Sequence, residues 1–315
     1  MSDIKKIWID TDAGIDDSFA IISAFKLPNI EVVGFSAVDG NVECYKTFKN
    51  TRDVVSLCGK EDIKVYKGAD EPLNIPHKHS YFFHGENGLG GVTIDESKAP
   101  VEKESAVDAL YKKAKELNGE LYVVAVGPLT NIAVTMFKYP DFVKYVKEID
   151  IMGGSIGVGG NASVAAEFNI YTDPHAAQTV FKSGVPIVMF GLDVTLKALL
   201  NRDEIESLKT YKTKIADFLY DISATPMNAF RSFGLGDYMC LHDACPIVYL
   251  SDPTLFKGQK AGVYVETQSN ISLGRTVSDL YIRSDDAFKN KNVTVMLEVD
   301  RDRFAKTVLD SYSKY

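Results

Sequence analysis

The sequence predicts an α/β fold, a single domain with a mainly parallel central sheet flanked by helices. Three observations predict it. Apolar strand-like stretches alternate with amphipathic helical stretches along most of the 315 residues. The intervening helices are long enough for βαβ crossovers, which make strands parallel and put their carboxyl ends on one side. No Pro-, Gly- or Ser-rich linker and no repeat divides the chain, so residues 1–315 are read as one domain.

In order, residues 6–10 (KIWID) read as a short buried strand and 16–26 (DDSFAIISAFK) as a helix of 3.6-residue period. Residues 31–38 are the next strand, 45–58 a helix and 63–66 a short strand. Residues 105–117 are helical, 121–126 (LYVVAV) a buried strand and 129–137 helical. Residues 149–152 form a strand, 174–181 a helix and 186–190 (PIVMF) a strand. From 202 to 230 the pattern is mostly helical; 261–267 and 293–299 read as strands, and 301–312 as a closing helix. Two long loops remain, 70–100 and the Gly-rich 153–168, and loops of that length in a compact domain usually carry function.

Composition narrows the partners. The chain is 45% apolar and 25% charged, which excludes a disordered or low-complexity protein. No apolar run approaches the roughly 18 residues of a membrane span, and the first twelve residues lack the apolar core of a signal peptide. With 35 basic and 43 acidic residues the formal charge is −8, which disfavours nucleic acid and anionic membranes and tolerates a neutral small substrate. Cys44, Cys58, Cys240 and Cys245 share no metal or redox spacing and read as reduced thiols of a cytoplasmic protein.

The chemistry concentrates in Asp10-Thr-Asp12-Ala-Gly14-Ile-Asp16-Asp17, four carboxylates in eight residues between a strand and a helix. Ligands bind at this edge of open α/β sheets. Carboxylates so close repel one another unless a cation intervenes, and an all-oxygen set suits a hard cation, Ca²⁺ or Mg²⁺. An EF-hand is excluded, because its fifth and twelfth loop positions would be Gly14 and Ile21. Gly14 is read as permitting the tight turn. Asp16 and Asp17, about 100° apart on a helix, are read as serving different partners. His242-Asp243 offers an imidazole beside a carboxylate, or simply a helix cap. Met152-Gly-Gly, Asn161 and Glu167-Phe168-Asn169 supply amides and a carboxylate suited to sugar hydroxyls. His77, His79 and His84 form no HxxxH pair, so a histidine zinc site is not expected.

Together these pieces resemble the inosine-uridine nucleoside hydrolase family. DTDxGxDD stands in full at residues 10–17. It is followed in order by VDGN ending at Asn41, HGENG from His84, VGPLTNIA from Val126, MGG from Met152, GNASVAAEFN ending at Asn169, DP at Asp173, HD at His242 and GRTVSD ending at Asp279. The resemblance covers nearly the whole chain and implies a Rossmann-like nucleoside hydrolase fold. It implies cleavage of the N-glycosidic bond of ribonucleosides to ribose and free base through an oxocarbenium-like transition state, with bound Ca²⁺. By position, Asp12, Asp17, Asp243 and the carbonyl of Val126 would ligate the ion. Asp16, Asn41, Met152, Asn161, Glu167, Phe168, Asn169 and Asp243 would contact the substrate. Asp12 would be the general base, His242 the acid at the departing base, His84 a neighbour of the nucleobase, and Asp10 a support. A homodimer or homotetramer is implied by resemblance alone.

Base preference is less legible. His242 groups the chain with relatives that place a histidine near the leaving group, and Asn228, Arg231 and Tyr238 are the polar candidates before it, with broad or pyrimidine-favouring activity expected. Two alternatives stand. A haloacid dehalogenase-type Mg²⁺ phosphohydrolase also opens with DxD, but it wants Thr or Val where this chain has Gly14. A non-catalytic nucleoside-binding module would need neither Asp12 nor His242.

Overall fold

The computed structural model describes residues 4–280 and 288–315. The first half is an unbroken βα series. Strand β1 (Lys5–Thr11) leads to α1 (Ile15–Ala24), β2 (Ile30–Ala37), α2 (Cys44–Leu57) and β3 (Val65–Lys67). A short α3 (Tyr81–His84) interrupts the long loop before α4 (Ala106–Leu117), β4 (Leu121–Ala125), α5 (Thr130–Lys138) and β5 (Val146–Met152). Then come α6 (Phe168–Thr172), α7 (Pro174–Phe181), β6 (Ile187–Phe190), α8 (Leu192–Thr195) and β7 (Leu199–Asn201). The last third holds α9 (Arg202–Ser207), α10 (Lys214–Ser232), β8 (Tyr238–Cys240), α11 (Ala244–Ser251), β9 (Phe256–Ala261), β10 (Val263–Val265), β11 (Thr276–Ser278), β12 (Val293–Val299) and α12 (Arg301–Tyr312).

Local chemistry sets these bounds. Ser105 caps α4 by accepting from the Asp108 amide, and the left-handed Asn118 ends it. Asp173 caps α7, whose first residue is Pro174. The expected strand at 261–267 divides at Gly262, with β9 running from Phe256 along the sheet edge and β10 pairing β11 outside the main sheet. The expected strand at 63–66 lies two residues later, where Val65 meets Phe35.

The main sheet has eight strands in the order β3-β2-β1-β4-β5-β6-β12-β9, all parallel except the edge strand β9. The order reverses between β1 and β4, whose first crossovers run in opposite directions, and a crevice opens there at the carboxyl ends of the strands. One apolar core covers the face under α1, α2, α10, α11 and α12, and a second covers the face under α4, α5 and α7. Trp8 anchors the second, stacked on Tyr66 with ring centroids 5.6 Å apart and packed over Gly34, where a β-carbon would overlap its ring. Among the described residues no helix is long and apolar enough to cross a membrane.

Candidate active site

The expected ligands arrive from three strand ends. Asp10 and Asp12 lie at and just beyond the end of β1, Asp16 and Asp17 in the first turn of α1, Val126 after β4 and Asp243 at the start of α11. Asp16, Asp17 and Asp243 each place a carboxylate oxygen within 4.8 Å of the others. Adjacent helical positions diverge by about 100°, yet in this first turn both short side chains reach the same point. Asp16, expected on the sugar, therefore stands within the acidic trio.

Asp12 adjoins the trio with its two oxygens in different surroundings. Oδ2 accepts the Asn41 amide at 2.8 Å, and the buried Oδ1 has no hydrogen-bond partner. Asp17 accepts from the Thr11 hydroxyl, from the Gly14 amide at 2.8 Å and from Asn41 Nδ2 at 3.2 Å. Burial pushes the carboxyls of Asp12, Asp16, Asp17 and Asp243 above the ordinary range, and repulsion among them pushes Asp12, Asp16 and Asp243 further. A divalent cation would reverse that penalty. The oxygen-only donor set, and the orphaned Oδ1 beside it, fit a hard cation.

Glycines keep the acids close. Gly14 has φ −109°, open to any residue, so it is required for space rather than for the turn that its sequence position suggested. A β-carbon there would lie 2.8 Å from Asn41 Nδ2 and 2.8 Å from His84 Cε1. One at Gly127 would lie 2.9 Å from Asp12 Oδ1. Asp10, expected as a support, is buried at the end of β1. Its Oδ1 accepts from the Ser36 hydroxyl and from Asn131 Nδ2 at 2.7 Å, and burial still pushes it up to about 7.

The sugar-directed residues gather across the crevice. Glu167 accepts amides of Gly154 at 2.8 Å, Asn169 at 2.9 Å and Ile170 at 3.2 Å, which makes it the cap of α6; burial pushes it up to about 7. Asn169 Nδ2 donates to the carbonyls of Val126 at 2.8 Å and Met152 at 3.0 Å, leaving the Val126 oxygen a second lone pair. Asn161 Oδ1 accepts the Phe168 amide at 2.9 Å and folds the Gly-rich loop back on itself. Val126, Met152, Asn161, Glu167, Phe168 and Asn169 line one pocket together with Asp16, Asn41, His84, His242 and Asp243, whereas Asp10, Asp12 and Asp17 lie outside its lining.

Two histidines also line it, both close to the acids. His84 Nδ1 accepts the Ile15 amide at 3.1 Å, which fixes the hydrogen on Nε2. Burial pushes this ring down to about 3, and His242 adds to the effect. His242 Nδ1 lies 2.8 Å from the Thr195 hydroxyl, and burial pushes it down to about 4. Burial thus favours the neutral form of both rings.

The polar candidates before His242 do not face the pocket. Arg231 bonds Asp237 at 2.8 Å on the surface, Asn228 is exposed, and Tyr238 packs against Phe230 at a centroid distance of 5.1 Å. The wall there is Phe83, Phe230, Leu235, Leu196 and Met239. Their apolar type reads as core in sequence, and only an interrupted period at residues 233–238 hinted otherwise. The histidines without a helical ligand spacing also meet: His77 Nδ1 lies 2.9 Å and His79 Nε2 3.3 Å from the carboxylate of Asp39, because alternate residues of an extended segment face one way.

A mostly parallel sheet with an acid-lined crevice at its switch point is the frame of an α/β enzyme, and the comparisons make it a hydrolase of N-glycosyl compounds that acts on ribonucleosides. The chain belongs to the inosine-uridine preferring nucleoside hydrolase family, whose match spans residues 7–306. It is 35% identical over 312 residues to a pyrimidine-specific ribonucleoside hydrolase RihA of a Shewanella species, covering 99% of this chain and 97% of that one. Among solved structures it is similar to a plant nucleoside hydrolase, PpNRh1, with TM-score 0.93 and 32% identity over 99% of this chain and 100% of that one. It is likewise similar to a purine-preferring ribonucleoside hydrolase of Gardnerella vaginalis, with TM-score 0.91 and 34% identity over 98% of each chain. The phosphohydrolase alternative is not favoured by any of these matches.

Proposed function

We propose that the chain hydrolyses ribonucleosides with Ca²⁺ in the acidic crevice, held by Asp12, Asp17, Asp243 and the Val126 carbonyl, with Asp16 beside them. Bound there, the cation would stabilise negative charge on the ribose diol and on water. Asn41, Glu167 and Asn169 orient the sugar, each held by backbone hydrogen bonds or packing before substrate arrives, so little order is lost on binding.

Asp12 is the general base in this account. Its Oδ2 is pinned by Asn41, and its partnerless Oδ1 takes one proton from the attacking water. The water oxygen bonds to the anomeric carbon as the C–N bond breaks, through a transition state with oxocarbenium character. The electron pair leaves on the nucleobase, and the N–H of His242, which lines the same pocket, stabilises it. That requires the Thr195 hydroxyl to donate to His242 Nδ1, which places the hydrogen on Nε2.

The observation that carries this reading is the mixed lining of a single pocket, which joins Asp16, Asn41, Glu167, Asn169 and Asp243 to two imidazoles and the apolar side chains of Phe83, Phe230 and Leu235. An end that stacks a base without reading its edge supports broad specificity, favouring pyrimidines. Reduced, mostly buried thiols support a cytoplasmic site of action, and family resemblance supports a homodimer or homotetramer. The test is release of free ribose from uridine, cytidine and inosine, before and after chelation. Activity abolished by chelator and restored by Ca²⁺ supports the reading; chelator-resistant turnover, or hydrolysis of purine ribosides alone, refutes the metal or the base preference respectively.

A further inference from the structure

We propose that Asp39, His77 and His79 form a second, separate metal site, for a first-row transition cation of the zinc type, at the foot of the loop that carries His84. Asp39 follows β2, is buried, and presents its two carboxylate oxygens to the two rings at 2.9 and 3.3 Å. One ligand atom from each of the three lies within 4.8 Å of the others. Zinc takes nitrogen and oxygen at about 2.0–2.2 Å, so two ligands of a tetrahedral ion sit roughly 3.3 Å apart. The two spacings to Asp39, each to a different carboxylate oxygen, lie within a few tenths of an ångström of that edge, and all three ligand atoms fall within 4.8 Å, a span that small side-chain rotations close on one ion.

The surroundings point the same way. Imidazoles that bind metals give their remote nitrogen to an oxygen, which fixes ring and tautomer. His79 Nδ1 lies 3.1 Å from the Tyr81 hydroxyl, which is itself hydrogen-bonded to Glu43. His77 Nε2 lies 3.9 Å from a carboxylate oxygen of Glu71. His77 is 42% exposed, which leaves an entry path and room for water as a fourth ligand. Two imidazoles and one carboxylate favour zinc or its neighbours, whereas the oxygen-only crevice favours a hard cation, so the two sites discriminate between ions.

The consequence is mechanical. Asp39 is anchored to the sheet side by its amide bond to Ala69, and Ser80 bonds the Asn41 carbonyl at 2.9 Å. A cation joining Asp39 to residues 77 and 79 would fasten the loop five residues before His84, which lines the pocket. The inference stands on the His-Asp geometry and is independent of the proposed reaction.

The test is metal content. The full chain is stripped by chelator, equilibrated with Zn²⁺ in excess Ca²⁺, desalted and analysed by mass spectrometry, alongside His77→Ala/His79→Ala and Tyr81→Phe. Wild type should keep one equivalent of zinc more than the double variant, and Tyr81→Phe should weaken that zinc about 10- to 100-fold. Equal zinc in wild type and double variant, or none in either, overturns the proposal. Should the double variant fail to fold, Co²⁺ added to wild type decides: an absorption band from imidazole-bound cobalt, erased by Zn²⁺, supports the site, and its absence overturns it.

Discussion

Gly14→Ala isolates one steric contact at the centre of the site. The backbone at Gly14 is open to alanine, at φ −109°, so the substitution adds a methyl group and no backbone strain. That methyl carbon would lie 2.8 Å from His84 Cε1 and 2.8 Å from Asn41 Nδ2, where nonbonded carbon contacts settle near 3.5–4.0 Å. The His84 ring, which the methyl also meets at Nδ1, and the Asn41 amide must both retreat, by about 1 Å. As His84 moves, it loses the Ile15 amide; as Asn41 moves, Asp12 and Asp17 lose donors. A misplacement of about 1 Å costs on the order of 100-fold in rate, and overpacking costs about 1–3 kcal/mol of stability. Steady-state kinetics on uridine and a thermal melt read the two effects. A variant with kcat/KM within threefold of wild type would show that the crevice tolerates the shift and that the packed arrangement is not what positions these groups.

Further expectations follow from other contacts. Asp150 is fully buried with neither oxygen hydrogen-bonded, and burial followed by repulsion from Glu148 raises its carboxyl well above the ordinary range. A raised acid loses folded stability as pH climbs through that window, so Asp150→Asn should match wild type near pH 4 and exceed it at pH 8 by about 1–3 kcal/mol; equal melting temperatures at both pH values would refute this. Asn131→Ala removes donors to Asp10 and the Ala37 carbonyl and the acceptor for the Ala69 amide. It should lower stability by about 1–3 kcal/mol in denaturant melts, because the part-buried Ala69 amide loses its acceptor and Asp10 Oδ1 keeps only the Ser36 hydroxyl. Phe230→Ala should raise KM for uridine about tenfold with kcat little changed, as expected of a stacking wall lost equally in ground and transition states.

The acidic crevice was legible because its residues are contiguous. One strand end and one helix start carry Asp10, Asp12, Asp16 and Asp17, and the βα alternation places that junction at the carboxyl edge. The relation of Asp243 to them was legible only through the family pattern, since 226 residues of chain separate it from Asp17 and no local signal spans such a gap. The role of Gly14 was misread, because a sequence shows that a side chain is missing but not which neighbours fill the space. The base end stayed hidden for a different reason: Phe83, Phe230 and Leu235 obey the same apolar pattern as core residues, and only the folded chain turns them toward a cavity. His77 and His79 were set aside on a helical spacing rule, whereas they lie on extended chain, and Asp39 meets them from another loop.

The measurement closest to the central claim is turnover of Asp12→Asn on uridine by release of free ribose, with folding checked by its melt and bound Ca²⁺ by metal analysis. The amide keeps an oxygen toward the crevice but cannot accept the proton that Oδ1 is left free to take. General-base catalysis contributes about 10²- to 10⁴-fold, so kcat should fall by that factor in a folded variant that still holds calcium. Near-wild-type turnover in such a variant would remove Asp12 as the base and contradict the account.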